Sequence, residues 1–248
     1  MNNYLTAPRA SKKLPKGIPY IIGNEAAERF SFYGMKGILV VFMTKYLHIM
    51  SDNTNMIAMN KAAAIEQYHN FTSLVYLTPI LGALLADTLL GKYRTILSLS
   101  LVYCLGHLAL AFMGTGGLTP ESWMMTGLAL ISLGSGGIKP CVSAHVGDQF
   151  GKSNASWLTK VFGWFYISIN VGAFISTMFT PWLLEWYGPH WAFGVPGILM
   201  AIATIVFWMG RKKFIHIQPK GIEFLRETFS REGLKAMAKL SIIFCFVA

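Results

Sequence analysis

The chain has 248 residues, 54% of them hydrophobic and only 13% charged, with a mean hydropathy of +0.47. A soluble domain carries roughly 25% charged residues, so this chain has too little charge to coat a water-facing surface, and a disordered chain, a collagen-like fibre and a small disulfide scaffold fail on the same numbers. The net charge of +10 flanks apolar runs and forms no aromatic-interleaved basic patch, which makes it topology charge and excludes nucleic acid as a partner.

Taken in chain order, the apolar runs predict an all-α polytopic membrane protein. A hydrocarbon core of about 30 Å needs ~20 mostly apolar residues per helix. Six spans of that size are expected, approximately at Ile18–Leu47, Tyr68–Leu90, Thr95–Gly114, Ser122–Val146, Trp157–Trp186 and Trp191–Gly210. The first lacks an A-x-A-like cleavage site and reads as a retained helix. Four cations (Arg9, Lys12, Lys13, Lys16) precede it, and eight, from Arg211 to Lys239, follow the sixth. Lys92, Arg94, Lys152 and Lys160 fall on the same side, and only Lys45 and Lys61 on the other. The positive-inside rule therefore places both ends of the chain in the cytoplasm, with a plasma membrane as the expected location. Cys104, Cys141 and Cys245 lie in apolar stretches without paired spacing, so neither a disulfide framework nor a metal site is indicated.

The last segment, Leu240–Ala248, is a nine-residue apolar run behind a basic amphipathic stretch. Nine helical residues rise only about 13 Å, so an unfinished seventh span is expected, against the alternative of an interfacial helix. The domain organisation follows: 1–17 a cytoplasmic tail, 18–210 a six-helix bundle, 211–239 a basic cytoplasmic connector, and 240–248 the start of an incomplete seventh helix.

Charges inside a bilayer cost a few kcal/mol each by insertion scales, so each requires a partner or a task. The first span holds Glu25, Glu28, Arg29 and Lys36. At ~100° per residue these four, with Phe32 and Tyr33, fall within one arc of about 140°, which describes a single polar stripe. Glu25 and Arg29 stand at i,i+4 and can neutralise one another. An isolated structural ion pair is the bland reading; four charges beside a tyrosine point to the wall of a water-filled pathway. The fourth span carries Gly134-Ser135-Gly136-Gly137-Ile138-Lys139-Pro140. Its small residues admit a neighbouring helix, and its lysine is expected to find its counter-charge in the glutamates of the first span. Protonating one glutamate would then shift the preferred packing.

Gly82-Ala83-Leu84-Leu85-Ala86-Asp87 to Gly91-Lys92-Tyr93-Arg94 resembles the loop between helices two and three of the major facilitator superfamily. The resemblance implies a conformational latch at Asp87 and Arg94, with Asp87 paired to Arg94 or capping a neighbouring helix. Glu25-Ala26-Ala27-Glu28-Arg29-Phe30 resembles the E-x-x-E-R-F signature of the proton-coupled oligopeptide transporters. Tyr76 to Gly82, Gly134 to Asp148 and Phe162 to Gly172 match the same family in order, so the resemblance covers approximately 17–210, an N-terminal six-helix half.

The resemblance implies symport of di- and tripeptides with protons, no cofactor beyond the proton as coupling ion, and a missing C-terminal six-helix half as partner within the lipid bilayer. It implies proton coupling by Glu25, Glu28, Arg29, Lys139 and His69. It further implies a peptide site lined by Arg29, Tyr33, Lys36, Tyr76, Lys139, Tyr166 and Asn170, with Arg29 and Lys139 receiving the peptide carboxylate. Phe32 stands where many members have tyrosine, losing a hydroxyl, and Lys36 where many have arginine, losing the bidentate fork. His69 opens the predicted second span, and an anchoring role at a helix end is its alternative. Two rival functions remain at this point: a transporter of nitrate or a drug on the same scaffold, and a peptide-binding sensor that does not transport. No nucleophile–base pair, H-E-x-x-H or phosphate-cradling loop is present, so an enzyme is not expected.

Overall fold

Helix starts follow local chemistry. The computed structural model describes residues 4–8, 10–51 and 57–247, with side chains described as far as Ile243; Arg9 and the Cys245 side chain lie outside the described residues. Helix α1 (Ile18–Lys45) begins after Gly17 with proline in its first turn. Helix α2 (Lys61–Leu85) is capped by Asn60, whose side chain accepts from the Ala63 N–H at 2.8 Å. Helix α3 covers Lys92–Ala111. Helix α4 (Pro120–Asp148) starts with proline behind Thr119, whose hydroxyl accepts from the Ser122 N–H. Helices α5 (Leu158–Tyr187) and α6 (Pro189–Met209) are separated by Gly188 alone. A short α7 (Ile222–Thr228) and a longer α8 (Arg231–Val247) complete the chain.

Two boundaries differ from the sequence expectation. The cap at Asn60 starts α2 about two turns before Tyr68, so His69 lies inside the helix and does not open it. Helix α8 crosses the Lys239–Leu240 junction without a break, so the basic connector and the final apolar run share one helix.

Helices α2, α3, α5 and α6 are long and apolar enough to cross a membrane, while α1 and α4 fall short of that apolarity. Those two are also the helices most buried within the bundle. Each is shielded from lipid by its neighbours and can therefore carry polar groups. Helix α1 packs on α5 and α6, α4 packs on α2 and α3, and α3 meets α6. Exchanging α1 with α4, α2 with α5 and α3 with α6 leaves this pattern unchanged, as expected of two nested three-helix repeats.

Close approach between α2 and α4 depends on paired glycines. A Cβ on Gly82 would overlap the Gly137 backbone, and one on Gly136 would overlap the Thr78 hydroxyl. After α2 the chain widens into a turn in which the Gly91 N–H donates to the Ala86 carbonyl at 2.9 Å, and Gly91 takes φ +76°. Only glycine adopts that conformation freely. The N-terminal tail runs across the same end of the bundle. Leu5 bridges to Ile215, the His216 N–H donates to the Leu5 carbonyl at 2.7 Å, and the Trp157 indole donates to the Lys12 carbonyl at 3.0 Å.

Candidate substrate and proton site

The polar stripe of α1 forms as the periodicity predicts. Arg29 Nε lies 2.9 Å from Glu25 Oε1 and 2.6 Å from Glu28 Oε2, with all three side chains no more than 7% exposed. These are ion pairs by distance, but the N–H is not aligned on either oxygen, so neither counts as a hydrogen bond. The second oxygen of Glu28 accepts a short hydrogen bond from the Ser135 hydroxyl of α4. The second oxygen of Glu25 is buried with no hydrogen-bond partner among the described residues.

Lys139 does not pair with these carboxylates, contrary to the sequence expectation. Its Nζ lies 4.8 Å from the Phe32 ring centroid and 5.4 Å from that of Tyr76. The physical reason is that Arg29 already sits between both glutamates, leaving the lysine the aromatic faces. Lys36 does likewise, 5.8 Å from the Phe32 ring and 5.2 Å from that of Tyr68. Two carboxylates thus face three cations on one wall, a surplus of one positive charge.

The other expected site residues divide into two groups. Tyr33 joins the cluster through an edge contact with Phe32 at 5.5 Å, and His69 makes an edge contact at 5.6 Å with Tyr68, the ring that Lys36 covers. His69 is exposed and makes no contact with the glutamates. Tyr166 and Asn170 lie on α5, where the Asn170 amide donates back to the Tyr166 carbonyl at 2.8 Å; among the described residues no hydrogen bond, ion pair or ring contact joins them to the α1 cluster. Tyr76 is 70% exposed and Tyr166 68% exposed, so the site is one open wall and not an enclosed cavity.

At the opposite end of α2, Asp87 and Arg94 form no ion pair with each other or with any other described residue. The pair formed there is Lys92 with Asp148, at 2.8 Å, joining the start of α3 to the end of α4. The Asp87 backbone carbonyl accepts from the Lys220 N–H at 2.9 Å, which ties the loop to the segment after α6.

Sequence reasoning missed four participants. Ser135 was hidden in a glycine run, although a buried serine beside a lysine was a usable signal. Phe32 reads by sequence as a lost hydroxyl, whereas the structure sets it within cation–π distance of two ammonium groups. Tyr103 is fully buried with a hydroxyl that has no hydrogen-bond partner among the described residues, and the same holds for both amide atoms of the buried Asn24, beside Glu25. Neither belongs to a motif.

The helical bundle has the fold of the multi-pass membrane transporters of the major facilitator superfamily. The POT family model matches residues 93–241, and the chain belongs to that family. It is 46% identical over 218 residues to Solute carrier family 15 member 2 of Homo sapiens, covering 84% of this chain and 28% of that protein. It is 44% identical to Peptide transporter family 1 of Drosophila melanogaster, with the same coverage. The in meso crystal structure of the POT family transporter PepTSo superposes with a TM-score of 0.76 at 46% identity, covering 84% of this chain and 40% of that one. The chain therefore spans well under half the length of these relatives. The family is one of transporters, not of enzymes.

Proposed function

We propose that this chain is the N-terminal half of a proton-coupled symporter of di- and tripeptides. The observation that carries the reading is the single surplus positive charge on the α1–α4 wall. Arg29 is held by two carboxylates, while Lys36 and Lys139 face rings and have no carboxylate of their own. A peptide's terminal carboxylate would neutralise that surplus at Arg29 and Lys139, with Tyr33, Lys36, Tyr76, Tyr166 and Asn170 lining the rest of the site.

Protons are the coupling ion in this reading. Glu28, gripped by Arg29 and Ser135, and Glu25, with one oxygen unpartnered, are the groups that would exchange them. Protonation of either removes one of the two ion pairs that hold Arg29 and leaves more of the guanidinium's charge for substrate. His69 would relay protons at the rim through its contact with Tyr68. Asp87 and Arg94 would act as a latch in another state of the transport cycle. A C-terminal six-helix half would close the open wall, and both ends of the chain would be cytoplasmic at a plasma membrane.

The test is binding of a labelled dipeptide against the same dipeptide with an amidated C-terminus. The amide is expected to bind at least about tenfold more weakly, because one charge-assisted contact is worth roughly 1.5–3 kcal/mol. Equal binding of the two would remove the carboxylate assignment. Failure of unlabelled dipeptides to compete would instead favour another solute on the same fold.

A further inference from the structure

A cavity of about 340 Å³ opens where the N-terminal tail crosses the end of the bundle, lined in part by Lys13, Lys16, Lys212 and Lys213. No acidic residue lines it, and Leu14 and Ile215 supply an apolar side. Its volume is at the lower end of the range for small-molecule sites, about 300–1,000 Å³.

The cavity is built and held. The Asn154 amide donates to the Lys13 carbonyl at 3.5 Å while its oxygen accepts from the Gly151 N–H at 2.8 Å. On the other wall the Ile215 N–H donates to Gln149 Oε1 at 3.0 Å, and the Gln149 amide is anchored on the His145 carbonyl at 2.9 Å. None of the four lysines is in an ion pair among the described residues. Lys213 donates to the Tyr20 hydroxyl and lies 4.3 Å from its ring, a neutral partner that leaves its charge uncompensated. The nearest acid at the end of α4, Asp148, is already engaged by Lys92. Four lysines thus line one space whose walls are held by backbone and amide hydrogen bonds, with no carboxylate among the lining residues to offset their charge.

Position decides what kind of anion fits. Lys16 lies two residues before α1, and Lys212 and Lys213 follow the end of α6, which places the cavity at the membrane–water boundary. Basic pockets at that level recognise phosphorylated lipid headgroups, and the apolar side suits the glycerol and upper chain of an amphiphile better than a free ion. We propose that this cavity binds a phosphate-bearing anion, and that its occupant is the headgroup of an anionic membrane lipid. The bound lipid would clamp the tail to the segment that follows α6.

The full chain, purified in detergent, would be titrated with phosphatidylinositol phosphate in phosphatidylcholine mixed micelles and, separately, with inorganic phosphate, and bound ligand read by native mass spectrometry. The double substitution Lys13→Gln/Lys212→Gln is expected to weaken retention of the anionic lipid by about tenfold or more, at roughly 1 kcal/mol per cation. The control Lys235→Gln/Lys239→Gln, which removes the same charge from α8, is expected to leave retention unchanged. If the first double variant does not fold, Lys16→Gln and Lys213→Gln are each expected to weaken retention severalfold. Equal loss in pocket and control variants would overturn the site in favour of diffuse attraction. Inorganic phosphate binding as tightly as the lipid would overturn the lipid as occupant.

Discussion

Lys139 Nζ stands 4.8 Å from the centre of the Phe32 ring and forms no ion pair with Glu25 or Glu28. One phenyl ring, 4% exposed, thereby receives Lys139 from α4 and Lys36 from its own helix. The ring holds both ammonium groups close to the carboxylates without neutralising them, which keeps the positive surplus available for an incoming anion.

Phe32→Leu is expected to cost binding of a dipeptide about tenfold, because each cation–π contact is worth roughly 0.5–2 kcal/mol. Phe32→Tyr preserves the ring and is expected to bind within about twofold of the parent. Dipeptide affinity for the two variants checks this; equal loss in both would mean that packing against Phe71 and not the ring face is what matters.

The Ser135 hydroxyl is the one α4 donor to Glu28 among the described residues. Ser135→Ala leaves a buried carboxylate oxygen unpartnered and is expected to lower stability by about 1–3 kcal/mol. A double-mutant cycle with Glu28→Gln is expected to return a coupling of about 1 kcal/mol or more, since both changes break the same contact. Thermal unfolding in detergent provides the measurement, and additive effects would count against the bond.

Where α3 starts and α4 ends, Lys92→Ala and Asp148→Ala are each expected to destabilise the chain by about 1 kcal/mol, in keeping with a partly exposed pair. The charge swap Lys92→Asp/Asp148→Lys is expected to restore most of the loss. Asp87→Ala and Arg94→Ala remove no ion pair present here and are expected to leave thermal stability nearly unchanged. A large loss from Asp87→Ala would show that its carboxylate is engaged in a contact other than those described.

The α1 stripe was legible because helical periodicity alone places Glu25, Glu28 and Arg29 on one side. Helices α2, α3, α5 and α6 were legible because apolar runs must be about as long as the bilayer is thick. What escaped were features set by competition between partners. Sequence spacing offers Lys139 the glutamates as counter-charges, but cannot show that Arg29 reaches both of them first. Asp87 and Arg94 form no ion pair among the described residues here for a similar reason: Lys92 is one helical face away from Arg94 and meets Asp148 across the α3–α4 contact. Helix α2 starts early because Asn60 caps a run of alanines, a polar beginning that a search for apolar spans passes over.

His216 supplies a pH prediction outside the membrane-spanning helices. It lies between the rings of Tyr4 at 4.4 Å and Tyr93 at 4.7 Å, and its Nε2 is 2.7 Å from the Arg211 carbonyl. Burial holds its pKa below the usual 6.5; the Arg211 carbonyl opposes that shift and the Arg94 charge adds to it, with His145 as a further titratable neighbour. With the folded pKa depressed, the unfolded form takes up protons first. The tail's docking is therefore fully stabilised above about pH 6.5 and weakens as the pH falls below it. The protection of amides in residues 4–17, measured relative to their intrinsic exchange rates at each pH, is expected to fall between pH 7.5 and 5.5, and His216→Phe is expected to remove most of that change. Unchanged pH dependence in His216→Phe would assign it to another group.

The central claim, that the α1 triad couples peptide movement to protons, is tested most directly by dipeptide uptake into proteoliposomes. These would hold a transporter containing this chain, with and without an inward proton gradient, and the parent would be compared with Glu28→Gln. The account predicts gradient-driven accumulation in the parent, lost by about tenfold or more in Glu28→Gln through removal of one partner from a buried charge network, with counterflow exchange partly retained. Accumulation in Glu28→Gln that remains gradient-driven would contradict it.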